Sequence, residues 1–306
     1  MRERFYATMA DLLQTDATTA LVLADIGPLD LVAGTPAARR VVNVGIREQA
    51  MVGVASGLAM AGLRPFVHTY APFLVERAYE QVKLDLTHQD VGAVLVSIGA
   101  SFDAASEGRT HQSPADVALL SALPGWRLHT PGHPDEVEAL VRAAARTQDR
   151  QYIRLSTQVN PDPVPADGSI HVLRPGGSTL LLAIGPTVAA AREATADLDV
   201  TLACTVTPFP LDGRALRRLA DQHDRVVVLE PYLEGTTAPE VAAALRGRAT
   251  AVEYVGVGRD EQRRYGTPAD HARLHGLDAA GIRARLLREA PVTPGPARRA
   301  SRSRSR

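Results

Sequence analysis

The sequence has a single cysteine, Cys204, in 306 residues, which excludes a disulfide framework and any cysteine-rich zinc site. No apolar run reaches the ~18 residues that a membrane-spanning helix needs, so a membrane protein of that kind is excluded too. The opening MRERFYATMA lacks the apolar core of a secretory signal, and a cytoplasmic protein is expected. Aromatic residues make up only 4%, and lysine is nearly missing: Lys83 stands alone among the 34 basic residues, the rest being arginine. The formal net charge of +0 hides an uneven distribution, because ARRASRSRSR (297–306) holds five arginines and no acid. Residues 1–296 carry 29 basic against 34 acidic side chains, a net of −5, which argues against a nucleic-acid partner for the body of the chain. The tail at 291–306 is aromatic-free and reads as disordered.

What is present is a chain of about two domains, by the usual ~150 residues per domain, with 45% hydrophobic residues for a sizeable core. Short apolar runs at 20–25, 40–44, 64–69, 92–98 and 152–155 read as buried strands, and helical spacing fills 47–62, 72–88, 114–122 and 134–146. A second series has strands at 178–185, 199–205, 225–230 and 250–256, with helices near 187–197, 212–222, 238–246 and 278–289. Strands alternating with helices predict parallel sheets covered on both faces, giving two doubly wound α/β domains over 1–157 and 179–290. QVNPDPVPADGSIHVLRPGGS (158–178), rich in proline and glycine, reads as a linker.

Ligands of open α/β sheets gather at the carboxyl ends of strands, and three segments there carry chemistry. In NVGIREQAMVGVASGLAMAG (43–62), Glu48 falls in the first turn of a helix full of Gly, Ala and Ser. Taken alone, it is an acid complementing a helix dipole. In HTYAPFLVERAYEQ (68–81), Tyr70 and Phe73 stand three apart, a spacing equally suited to a platform for a flat heterocycle and to a plain core pair, with His68 nearby. SEGRTHQSPAD (106–116) places Glu107, Arg109 and His111 in one loop, a composition suited to acid–base work. No set of histidines and acids has metal-ligand spacing, and Cys204 lies in an apolar strand as packing.

Together these stretches resemble the transketolase family. NVGIREQAMVGVASGLAMAGLRPFVHTYAPFLVERAYEQV is similar to its thiamine diphosphate pyrimidine-binding domain, and GRTHQSPADVALL to its substrate loop. TPFPLD (207–212), VVVLE (226–230) and RRYGTPADHARLHGLD (263–278) are similar, in order, to its C-terminal domain. The resemblance implies that Glu48 hydrogen-bonds N1′ of the aminopyrimidine, favouring the imino tautomer that removes the thiazolium C2 proton. It implies that Tyr70 and Phe73 pack around the pyrimidine and that Asp25, in LVLADIG, belongs to the cofactor pocket. His111, with Glu107 beside it, would hydrogen-bond the substrate hydroxyls and handle their protons. His68 is a candidate substrate contact by its position beside the aromatic pair, and Arg109, where the family carries a proline, is either a new anion contact or an exposed side chain.

The departures are as informative. The family holds the diphosphate through Mg2+ at a GDG-type motif, and no GDG occurs here; the related triplet is Leu211-Asp212-Gly213. The resemblance therefore implies the small subunit of a split transketolase, with cofactor shared and Mg2+ bound by a large partner subunit, as an α2β2 heterotetramer. Thr157 stands where the family carries a phosphate-binding arginine, and Gly99 where it carries a histidine. That implies ketose and aldehyde substrates other than the usual sugar phosphates, in a specialised biosynthetic pathway. Two readings compete: the beta subunit of a 2-oxoacid dehydrogenase, which also supplies a pyrimidine glutamate, and a non-catalytic binding subunit.

Overall fold

The computed structural model describes residues 1–28, 30–261 and 263–288. The arginine/serine tail lies outside the described residues, as does the last residue of the helix expected at 278–289.

The first half is built on helix α1 (Arg2–Thr15), strands β1 (Thr19–Leu23) and β2 (Val41–Asn43), helix α2 (Glu48–Met60) and strand β3 (Arg64–Tyr70). A helical stretch over 72–88 follows, wound as π-helix at Pro72–Arg77 and Val82–His88 around the short α3 (Tyr79–Gln81). Strand β4 (Val94–Ile98), helix α4 (Asp116–Ser121), strand β5 (Trp126–His129), helix α5 (Pro134–Ala145) and strand β6 (Arg150–Arg154) complete it. The six strands pair in parallel in the order β2-β1-β3-β4-β6-β5. β1 and β4 are buried along their whole length, which is why they read as unbroken apolar runs rather than as alternating ones.

The second half has strands β7 (His171–Arg174) and β8 (Thr179–Ile184), helix α6 (Val188–Ala194), β9 (Thr201–Thr205), α7 (Gly213–Ala220), β10 (Arg225–Leu233), α8 (Ala238–Ala244), β11 (Ala251–Val257), α9 (Pro268–Leu274) and α10 (Ala279–Leu286). Its sheet runs β11-β10-β8-β9-β7, parallel except for β7 against β9. One apolar cluster crosses between the halves, from Val22 and Met51 through Trp126, Leu128 and Phe209 to Leu182 and Val228. Among the described residues no helix is long and apolar enough to cross a membrane.

The structure corrects the expected linker. His171–Arg174 is an edge strand, and the chain before it is tied down: Asn160 Nδ2 donates to the Gly185 carbonyl (3.0 Å) and the Val164 N–H to Glu136 Oε1 (2.8 Å). Its four residues between prolines and glycines are too few to show a period. Helix α1 also goes beyond the expectation; Phe5, Met9, Leu12 and Leu13 are its buried face against the first sheet.

Candidate active site

All strands of the first sheet end on the same edge, and the site is assembled there. Tyr70 closes β3 and Glu48 opens α2, where its side chain is 2% exposed. Arg77 Nη1 donates to Glu48 Oε2 at 2.8 Å, and the Arg77 guanidinium lies 4.2 Å from the centre of the Phe73 ring. Phe73 meets the His111 ring edge-on at 4.9 Å; Tyr70 meets the same ring at 5.2 Å and Phe73 at 6.0 Å. Glu48, Arg77, Phe73, His111 and Tyr70 thus form one continuous row. The π-winding over Pro72–Arg77, an irregularity frequent at functional sites, carries two of its members. Arg77 was not among the residues the sequence singled out; its signal is a cation four positions after Phe73.

The loop between β4 and α4 carries the other candidates. His111 sits on a 3-10 turn, its Nδ1 3.0 Å from Thr110 Oγ1. Glu107 ends the preceding turn with its side chain exposed. Arg109 faces away from the row, toward the second half: Nε donates to Glu261 Oε1 (3.0 Å) and Nη1 to the Gln112 carbonyl (2.8 Å). Asp25 stands apart at the ends of β1 and β2, in left-handed backbone (φ 52°). Its N–H donates to Asn43 Oδ1 (2.9 Å), and its carboxylate accepts from Asn43 Nδ2 (3.1 Å).

His68 is a correction. Its side chain has no exposed surface; Nδ1 donates to the Val96 carbonyl (2.8 Å), and Phe5 and Tyr6 of α1 cover the ring at 4.8 and 5.3 Å. Burial lowers its pKa to about 3, so it is a neutral packing residue and not a substrate contact within this chain.

A buried polar network holds the loop. Arg154 Nε donates to Asp116 Oδ2 (2.7 Å), which also accepts from Tyr152 OH (2.6 Å). Arg154 Nη2 donates to Ser101 Oγ (2.7 Å), and Ser101 Oγ donates to the Pro231 carbonyl (2.6 Å) in the second half. Burial is the largest single influence on Arg154 and works to lower its pKa, but Asp116, Tyr152 and Asp103 together outweigh it and the net shift is upward. Burial, joined by the Asp116 charge, holds Tyr152 well above its usual value. From the second half, Phe102 is stacked by His271 at 4.1 Å and Gln112 Nε2 donates to the Arg264 carbonyl (3.2 Å). Gly108 lies against Tyr265, whose ring leaves no room for a Cβ there (2.7 Å).

Chemically, the row offers a buried carboxylate with one oxygen anchored by a cation, beside aromatic faces and an imidazole. That set suits a flat, nitrogen-bearing ring. Among the described residues no group of three or more His, Cys, Asp or Glu side chains could hold a metal ion. In Leu211-Asp212-Gly213, the Asp212 carboxylate caps α7 by accepting from the Ala215 N–H (2.9 Å).

Residues 1–162 match the family described as transketolase, pyrimidine binding domain. The chain is 45% identical over 283 residues to an uncharacterized 33.6 kDa protein in the fasciation locus of Rhodococcoides fascians, with 91% of each chain covered. It is 29% identical over 256 residues to one subunit of the apulose-4-phosphate transketolase of Actinobacillus succinogenes, covering 79% of this chain and 82% of that one. Among solved structures it superimposes on a split-gene transketolase described as an inactive beta4 tetramer. There the TM-score is 0.80 at 26% identity, covering 92% of this chain and 95% of the other.

Proposed function

Since the chain belongs to the transketolase family, we propose that it is the small subunit of a split enzyme that moves a two-carbon ketol unit from a ketose to an aldehyde. The observation that carries this reading is the row from Glu48 to Tyr70. Thiamine diphosphate, when bound, supplies a carbon nucleophile and an electron sink for breaking and making the C–C bond. Glu48 would hold the pyrimidine ring through Oε1 and take up or release a proton there, while Arg77 fixes Oε2 and so orients the carboxylate. Phe73 and Tyr70 hold the pyrimidine and exclude water from it. His111, edge-on to both rings, binds substrate hydroxyls and passes their protons, with Glu107 at the loop's exposed rim. Asp25, apart from the row and with its backbone N–H held by Asn43, would meet the cofactor from the ends of β1 and β2.

The diphosphate and its Mg2+ belong, in this reading, to a large partner subunit, in a heterotetramer with the cofactor at the interface. Two observations support a partner: the capping role of Asp212 in the one triplet related to a diphosphate motif, and a relative that forms an inactive assembly of four β chains.

The test is to purify the chain with and without the large subunit and follow ketol transfer. Activity is expected only in the mixture, and Glu48→Ala should remove most of it, two orders of magnitude or more. Full activity of the isolated chain, or unchanged turnover in Glu48→Ala, would refute the proposal. Acyl transfer to a lipoyl domain in place of ketol transfer would assign the chain to 2-oxoacid dehydrogenation.

A further inference from the structure

Two neighbouring side chains of the π-wound stretch reach different parts of the site. Arg77 lies over the Phe73 ring and donates to Glu48. Glu76, one residue earlier and half-buried, accepts from Ser113 Oγ through Oε1 at 2.9 Å. Ser113 stands two positions beyond His111 in the loop between β4 and α4, and it has no exposed surface. Burial pushes the Glu76 carboxyl up from its ordinary value; the Ser113 hydroxyl and the Arg109 charge pull it back without reversing the shift. An acid kept only for solubility would have its carboxylate in water and no such conflict.

The backbone of Ser113 is fixed from its other side. Its N–H donates to the Ser101 carbonyl (3.0 Å), and its own carbonyl accepts from Arg154 Nη2 (3.4 Å). The hydroxyl proton is left for one partner, and it goes to Glu76 across 37 positions of sequence. Phe73 belongs to the same π-wound segment as Glu76, and the His111 ring meets it edge-on. Edge-on ring pairs are favourable over roughly 4.5–7 Å between centres, so Phe73 and Tyr70 do not by themselves fix where the imidazole stops. The polar contact of that imidazole is local, to Thr110 Oγ1, and moves with the loop. The position of His111 against the two rings is therefore set by where the loop backbone is held, and Ser113 holds it to the segment that carries Phe73.

Building on the transketolase reading, we propose that Glu76 is a positioning residue: through Ser113 it fixes the His111 loop against Phe73 and so sets where the imidazole meets the substrate hydroxyls. Arg77 orients Glu48 directly, and Glu76 orients His111 through the loop. Glu76 acts as a hydrogen-bond acceptor at one point, a part that an amide oxygen in the same place can fill.

Two measurements test this. The first, on the full chain alone, is the NMR shift of the His111 ring protons, assigned by their loss in His111→Gln. The Tyr70 and Phe73 rings displace that signal from the position of an unstacked histidine. Ser113→Ala, which removes one hydroxyl, and Glu76→Ala should each cancel about half of the displacement or more, while Glu76→Gln should keep it. The second is ketol transfer from D-xylulose or D-xylulose 5-phosphate to glycolaldehyde by each variant assembled with the large subunit. In both alanine variants kcat/KM should fall about tenfold, the scale of one hydrogen bond to a charged group, with thiamine diphosphate affinity within about twofold; Glu76→Gln should restore the rate. A His111 signal unmoved in both alanine variants, one moved as far by Glu76→Gln as by Glu76→Ala, or an undiminished kcat/KM in both alanine variants would overturn the assignment. Signals that move as expected, in a complex that transfers no ketol unit even unaltered, would sink the transketolase reading and leave the positioning of His111 by Glu76 standing.

Discussion

Two arginines border the loop that carries His111, and the structure gives them opposite weight. The Arg154 and Asp116 side chains are 2% and 0% exposed, whereas Arg109 and Glu261 are 51% and 56% exposed. Replacing Arg154 with Met leaves the Asp116 carboxylate buried without its counter-charge, a loss of about 3–5 kcal/mol. At ~2–4 °C per kcal/mol for a unit of this size, the melting temperature should fall by on the order of 10 °C. Asp116→Asn strands the guanidinium instead and should cost a similar amount. The double variant D116N/R154M strands neither charge, so its loss should fall about 2–3 kcal/mol short of the sum of the singles. Arg109→Gln breaks a pair that water already screens and should cost less than about 1 kcal/mol, shrinking further at high salt. Calorimetric melts of the four variants beside the unaltered chain at neutral pH decide it. Losses that add to within ~0.5 kcal/mol, or an Arg109 variant as damaged as the Arg154 one, would show that the two charges are not what holds this loop.

The pH dependence of stability should carry the mark of His68. Its folded pKa, about 3, lies below the ordinary 6.5, so the unfolded chain takes up the proton first. Its contribution is whole well above pH 6.5 and is lost as the pH falls toward 3, a loss on the order of 1 kcal/mol by pH 5.5. His68→Phe should flatten the stability profile across that window, and an unchanged slope in chemical denaturation would count against the burial argument. Gly99→Ala should lower the melting point by more than Gly45→Ala does. Both residues have positive φ (75° and 71°), but a Cβ meets Tyr70 only at position 99 and nothing within 4 Å at 45. Equal losses would mean the ring yields without cost. Cys204, buried and pushed up to about 12, should resist a thiol reagent in the native chain and react at once on unfolding. Fast labelling under native conditions would contradict its placement.

Much of this was legible in the sequence, for physical reasons that differ from part to part. Parallel strands buried on both faces write themselves as apolar runs, so β1, β4, β8 and β10 were found close to their ends. Glu48, Tyr70, Phe73 and His111, spread over more than sixty positions, converge because each lies at a strand or helix end on one edge of the sheet. What was illegible depended on long-range packing. His68 looked available because nothing in its own segment shows that α1 lies over it. Arg77 pairs with Glu48 across 29 positions, and Arg109 with Glu261 across 152, separations at which spacing has no period to follow. The strand inside the expected linker is short and flanked by the residues that usually mark its absence.

The clasp on the His111 loop bears on how such a chain can be cut and recombined. Phe102 against His271, Gly108 under Tyr265 and Gln112 on the Arg264 carbonyl are matched pairs, one member near residue 105 and the other near 268. A hybrid that joins residues 1–157 of this chain to the second half of a relative would separate every one of them at once. Exchange is therefore easier between whole subunits than between the two halves of this one. Grafts that aim to transplant the loop should carry 99–116 and 257–277 together as a single heritable block.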